Sequence, residues 1–90
     1  NPGMKRFTAT PDLKVRALST RNTVYDGPAY SLSAANQVGP LDILPGHANL
    51  LSILADCTVR IDTDQEVKEF IVTKGLVKVV DNTVTLFINL

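Results

Sequence analysis

The sequence predicts an all-β fold, a two-sheet antiparallel β-sandwich of about eight to ten short strands. Two observations carry that prediction. Short runs of alternating apolar and polar residues recur along the chain, broken by turn residues every ~8–12 positions, as in sandwiches and barrels. No stretch sustains the 3.6-residue periodicity of an amphipathic helix. At 90 residues the chain has material for one compact core, burying roughly 60–65 % of the surface its unfolded form exposes.

The elements follow in chain order. Asn1-Pro2-Gly3, ahead of Met4, reads as a cloning remnant, and residues 1–12 as a flexible lead-in to a sandwich over 13–90. In Leu13-Lys14-Val15-Arg16-Ala17 the apolar side chains share one face and the cations the other, the pattern of a half-buried strand. Asn22 and Asp26-Gly27-Pro28 then punctuate the chain. Tyr30, Leu32 and Ala34 alternate with Ser31, Ser33 and Ala35 as a second strand, which the loop-like Asn36-Gln37-Val38-Gly39-Pro40 ends. Leu41 and Ile43 flank Asp42 in a brief extended piece, and Pro45-Gly46 suits a type II turn, with glycine supplying the positive φ. Between His47 and Leu54 the apolar residues fit either a helical turn or a buried strand, and the extended form is the preferred reading. Cys57, Val59 and Ile61 alternate with Thr58, Arg60 and Asp62, and Thr63-Asp64-Gln65 joins them to the run Val67 to Thr73 as a hairpin. Lys74-Gly75, the run Leu76 to Val80, the turn Asp81-Asn82 and the alternating Val84 to Leu90 complete the chain. The expected core holds Val15, Leu32, Val59, Ile61, Val84 and Leu86.

Composition narrows the function. With 44 % hydrophobic and 20 % charged residues, the chain is an ordinary globular domain and not a disordered one. Nine Lys and Arg balance nine Asp and Glu, so no net field gathers phosphates, which argues against nucleic acid as a partner. Residues 1–45 carry five basic and three acidic side chains, residues 46–90 four and six, an asymmetry too mild to interpret. The one cysteine, Cys57, has no disulfide partner in the chain, and with one histidine, His47, no Cys/His zinc site can form. A reducing, cytoplasmic setting fits this usage. No apolar run reaches the ~20 residues of a membrane span, so direct membrane insertion is not expected.

Few residues carry candidate chemistry. A nucleophilic triad needs a base beside a Ser or Cys, and His47 follows a turn with no evident partner, so capping of that turn is the plainer reading. Asp62, Asp64 and Glu66 have the spacing of the first ligands of a calcium loop, but the glycine at the sixth position and the glutamate at the twelfth are missing, which favours a solvated hairpin tip. The glycines, scattered at Gly3, Gly27, Gly39, Gly46 and Gly75, form no phosphate loop. Cys57, on an apolar strand face, is expected to be a buried, unreactive thiol. No catalytic residue, metal or cofactor is expected, and the residues by themselves describe a binding or structural module.

The segment Leu41-Asp42-Ile43-Leu44-Pro45-Gly46-His47-Ala48-Asn49-Leu50-Leu51 resembles the signature of the F-type ATP synthase epsilon subunit family, typically aliphatic-Pro-Gly-His-Ala-Pro-Leu-Leu. The order of Val24-Tyr25-Asp26-Gly27 before it, and of Val59-Arg60-Ile61, Glu69-Phe70-Ile71-Val72, Gly75 and Val84-Thr85-Leu86 after it, is similar to that family over about Leu13 to Leu90. The resemblance implies a non-catalytic rotor subunit of the central stalk. Such a subunit links gamma to the membrane c-ring, supports proton-coupled ATP synthesis, and is peripheral on the cytoplasmic face of the inner or plasma membrane. It further implies ring-facing loops at Val38, Gly39, Pro40, Leu41 and His47, a signature turn at Pro45, Gly46 and His47, and a gamma-facing surface near Ser19 and Ser52. Pro40 stands where the family often has an acidic residue, Asn49 replaces a proline, Asp56-Cys57 a common Pro-Gly, and Lys74 a common glycine. Most members continue into a C-terminal two-helix hairpin that this sequence lacks, so neither ATP binding nor inhibition of hydrolysis is expected of it. The competing readings are an unrelated small β-sandwich that binds a ligand or peptide at a sheet edge and, further behind, an enzyme.

Overall fold

The computed structural model describes residues 10–36 and 39–89. Seven strands account for nearly all of them: β1 Leu13–Leu18, β2 Thr23–Ala29, β3 Ser31–Asn36, β4 Gly39–Ile43, β5 Leu50–Asp62, β6 Val67–Val80 and β7 Thr83–Ile88. They form one hydrogen-bonded ladder in the order β2-β1-β7-β6-β5-β3-β4.

That ladder becomes a sandwich because β5 and β6 bend together. In β5 the inward residues are even-numbered up to Leu54 and odd-numbered from Cys57 through Val59 to Ile61. β6 switches at the matching place, from Phe70 and Val72 to Gly75, Val77 and Val79. The pairing keeps one register on both sides of the switch, with Ala55 opposite Lys74 and Cys57 opposite Val72, and lapses only at Asp56 and Thr73 between them. Asp56 absorbs the turn in β5 with φ 49°, a left-handed conformation that Asp tolerates better than most residues. On β6 the bend is set by Gly75, where a Cβ would lie 2.6 Å from the Phe87 carbonyl oxygen. Two-layer packing of this kind uses strands that pass from one sheet to the other at a bend. Layer one is β2, β1, β7 and the halves of β6 and β5 nearest the Asp81-Asn82 turn; layer two is the other two halves with β3 and β4. Their facing side chains form one core, in which Val15, Leu32, Val59, Ile61, Val84 and Leu86 are all fully buried.

Four sequence expectations change. The described residues hold seven strands where eight to ten were expected, because Lys74-Gly75 is a bend inside one long β6 and not a break between two strands. The ladder is not wholly antiparallel: β1 runs parallel to β7, with Val15 opposite Val84 and Ala17 opposite Leu86. Asp26-Gly27-Pro28 lies inside β2; β2 is an edge strand, where the missing N–H of Pro28 costs no ladder bond. Gly39 and Pro40, expected in a loop, open β4, which pairs with β3 from Asn36–Gly39 to Leu32–Ile43. The segment before Leu54 is extended as expected, since β5 begins at Leu50. Expectations for residues 1–9, Gln37, Val38 and Leu90 fall outside the described residues.

Turn chemistry accounts for the connections. The buried hydroxyl of Thr63 donates to the Glu66 carbonyl at 2.7 Å and accepts from the Glu66 N–H at 3.0 Å, closing the β5–β6 hairpin. Asp81 and Asn82, with φ 48° and 63°, join β6 to β7 with the two consecutive positive φ values of a type I′ hairpin turn.

Candidate functional site

The signature segment forms a turn pinned to the rest of the fold. The His47 N–H donates to the Leu44 carbonyl at 3.0 Å, and Gly46 has φ 87°, which is the third position of a type II turn. The Gly46 N–H donates to Asn82 Oδ1 at 2.7 Å, and the Asp81 N–H to Asn49 Oδ1 at 3.2 Å. Two asparagines thus tie this turn and the β6–β7 turn to one another. Asn49 fills one side of that tie. His47 is half-buried, and its Nδ1 donates to the Ala48 carbonyl at 2.7 Å, so the ring is engaged with its own turn.

The residues expected to face a ring are not brought into one cluster. Gly39, Pro40 and Leu41 lie on β4 itself; Gly39 opens that strand and His47 follows its other end, about 13 Å or more away at ~3.3 Å per residue. Val38 lies outside the described residues. Ser19 is a turn residue: its hydroxyl donates to Asn22 and accepts from the Asn22 N–H at 3.2 Å. Ser52 is half-buried on the inward phase of β5, while its neighbours Leu51 and Ile53 point outward, 65 % and 68 % exposed.

Those two residues belong to a surface that sequence reasoning missed. On the outer face of layer one, Ile53 lies opposite Leu76, Leu76 opposite Phe87, and Phe87 opposite Leu18. An apolar row therefore crosses four strands, and Ser19 follows it directly in sequence. The next row carries Leu51, Lys78, Thr85, Arg16 and Asp26. The signal was present in the sequence as unexplained apolar residues on the polar phase of their strands, but only the pairing aligns them.

Elsewhere the chemistry is spare. Among the described residues no group of three His, Cys, Asp or Glu could hold a metal ion. Cys57 is buried. A cleft between β2 and the β5–β6 hairpin is lined by Tyr25, Asp26, Asp64, Glu66 and Lys68 among others. Partial burial pushes the Tyr25 phenol above 10.0, and the carboxylates of Asp64, Glu66 and Asp26 push it the same way. Its hydroxyl donates to the Pro28 carbonyl at 2.5 Å, and Lys68 Nζ stands 5.9 Å from its ring centroid. No helix among the described residues is long and apolar enough to cross a membrane.

Comparison with known proteins agrees with this architecture. The chain is 39 % identical over 77 residues to an ATP synthase epsilon chain of Synechococcus elongatus, covering 86 % of this chain and 56 % of the relative. It is 36 % identical over 75 residues to that of Vesicomyosocius okutanii, covering 83 % and 54 %. The chain thus spans little more than half the length of these relatives. In fold it is similar to a chain of the Tetrahymena thermophila mitochondrial ATP synthase central stalk and c-ring structure, with TM-score 0.78 at 22 % identity, covering 90 % of this chain and 66 % of that one. A chain of the Euglena gracilis mitochondrial enzyme gives the same TM-score at 13 % identity, covering 90 % and 52 %. With residues 12–89 matching the model of the ATP synthase delta/epsilon chain β-sandwich domain, and a bent two-layer ladder that carries the signature turn at one end, the chain belongs to that family.

Proposed function

We propose that this chain is the sandwich of a non-catalytic central-stalk subunit of an F-type ATP synthase, seated between gamma and the membrane c-ring. Its work is mechanical: it passes torque, and no bond is made on it. The observation that carries this reading is the apolar row Leu18–Phe87–Leu76–Ile53 on the outer face of layer one, three half-buried residues that end at exposed Ile53, with exposed Leu51 in the next row, in a chain of this family. Exposed apolar area gathered in one patch marks an interaction surface, and the row begins beside Ser19, on the side assigned to gamma. Leu51 and Ile53 replace Ser52 as the contact residues there. The ring-facing set lies along β4 and the turn after it, so a contact using both Gly39 and His47 runs the length of one edge strand. The orientation of His47 towards Ala48 supports a structural part for the ring within that contact. Attachment through gamma and the c-ring makes the chain a peripheral component on the cytoplasmic face of the inner or plasma membrane.

Reconstitution tests the proposal. Added to a synthase stripped of its epsilon subunit, the chain is expected to co-purify with gamma and to restore proton-coupled synthesis. Failure to associate with gamma from the same source, by a chain shown to be folded, would refute it.

A further inference from the structure

The formal net charge is zero, yet the fold separates the charges by face. On the outer face of layer one, exposed Lys14, Arg16, Lys74 and Lys78 surround the apolar row; Asp26 is the carboxylate within that face, and exposed Asp12, Asp56 and Asp81 stand at its margins, before β1, at the β5 bend and in the β6–β7 turn. Arg16 reaches Asp26 at 4.0 Å, which leaves Lys14, Lys74 and Lys78 as the excess within the face itself. Lys78 lies opposite Leu51 on one side of the row, and Lys74 opposite Ala55 on the other. The outer face of layer two has the reverse balance. There Glu69 lies opposite Arg60, Arg60 opposite Ser33, and Ser33 opposite Asp42, so one cation meets two carboxylates. Strand alternation produces this sorting: positions two apart share a face, and pairing brings residues distant in sequence into one row.

We infer that the docking face of layer one recognises a partner surface in which an apolar strip is bordered by carboxylates, so that association on this face is charge-steered although the chain as a whole is neutral. The inference rests on the docking proposed above and adds the chemistry of the surface that fits there. An apolar centre with a charged rim is the usual anatomy of a specific interface. Rim charges of one sign accelerate encounter with a surface of the opposite sign, and salt removes the effect beyond a Debye length of about 8–10 Å. A second copy of this chain fits the same face poorly, since it would bring the lysines of one copy to a surface that carries the same lysines. The opposite face, acidic in balance, would be turned away from such a partner.

The test measures association of the 90-residue chain with purified gamma subunit from the same source, at about 50 mM and about 500 mM salt, with circular dichroism to verify folding of each variant. For the unmodified chain the association rate should fall by about tenfold or more between the two salt concentrations, the range typical of steered encounter. The double charge reversal K14E/K78E should lower the low-salt rate by a similar factor and flatten the salt dependence. Arg60→Glu, on the opposite face, should leave the rate unchanged or raise it slightly. Ile53→Ser separates the two proposals, because it removes the apolar centre without changing the charge of the face. If Ile53→Ser weakens binding while salt and K14E/K78E do nothing, docking stands and charge steering is overturned. If Ile53→Ser binds as well as the unmodified chain, the face itself is misassigned and both fail.

Discussion

Replacing Gly75 by alanine should be the most damaging one-carbon change in the molecule. The added Cβ would stand 2.6 Å from the carbonyl oxygen of Phe87 and 3.0 Å from Val72 Cγ1. Phe87 O is main chain in the neighbouring strand, so no rotamer change relieves the contact. Relief requires β7 to move away from β6 at Gly75–Ile88, the last pair of their ladder, where the Asn89 N–H also bonds to the Lys74 carbonyl. Overpacking of this kind costs about 1–3 kcal/mol, and a main-chain obstacle places Gly75→Ala at the upper end, about 2–3 kcal/mol. Since a domain of this size is stable by only about 5–13 kcal/mol, the expected fall in melting temperature is roughly 10–20 °C. Urea unfolding followed by circular dichroism provides the assay, with a lower midpoint at unchanged slope as the expected result. Gly27→Ala is the control, because its Cβ would meet only the end of the Tyr25 side chain, the hydroxyl at 3.0 Å and Cζ at 3.3 Å, which yields more easily than main chain. An unchanged midpoint for Gly75→Ala, or an equal loss for Gly27→Ala, would refute the account of the bend.

Three further outcomes are expected. Leu86→Ala, which empties a fully buried site between the layers, should cost about 2–5 kcal/mol in the same unfolding assay. Gly46→Val should cost about 1–3 kcal/mol through backbone strain alone, since φ is 87° while nothing lies within 4 Å of the new Cβ; full stability would show that the turn relaxes to another conformation. Tyr25 holds its proton more tightly in the folded state than in the unfolded one, so its contribution to stability is complete below pH 10.0 and is lost as pH rises through the raised folded value. Tyr25→Phe should therefore flatten the alkaline limb of the stability curve, and tyrosinate absorbance should show the Tyr25 transition above that pH; a Tyr25 transition at or below it would contradict the packing around the ring.

Much of the fold is legible in the sequence because a half-buried strand writes its burial as a period of two. That period alone selects Val15, Leu32, Val59, Ile61, Val84 and Leu86, each of which is fully buried. Residue chemistry likewise marks the turns at Pro45-Gly46 and Asp81-Asn82, because few residue types supply the positive φ that each requires. Local signals become ambiguous where one cause produces two patterns. Asp26-Gly27-Pro28 carries turn composition but sits in an edge strand, where proline costs nothing. Lys74-Gly75 resembles a break and is a bend. The candidate site was least legible: Ser19 and Ser52 mark the neighbourhood of the apolar row, but Leu18, Ile53, Leu76 and Phe87 come from four strands scattered along the chain.

The sequence by itself determined the all-β class, the two turns, the core residues and the signature of the family, since each depends on a residue's own conformational range or on neighbours one or two positions away. Only the tertiary structure decided the parallel pairing of β1 with β7, the joint bend of β5 and β6, and the separation of a neutral chain into a basic apolar face and an acidic one. Those features depend on which strands lie side by side, and strand order is fixed by long-range burial and backbone pairing, on which a local pattern of alternation is silent.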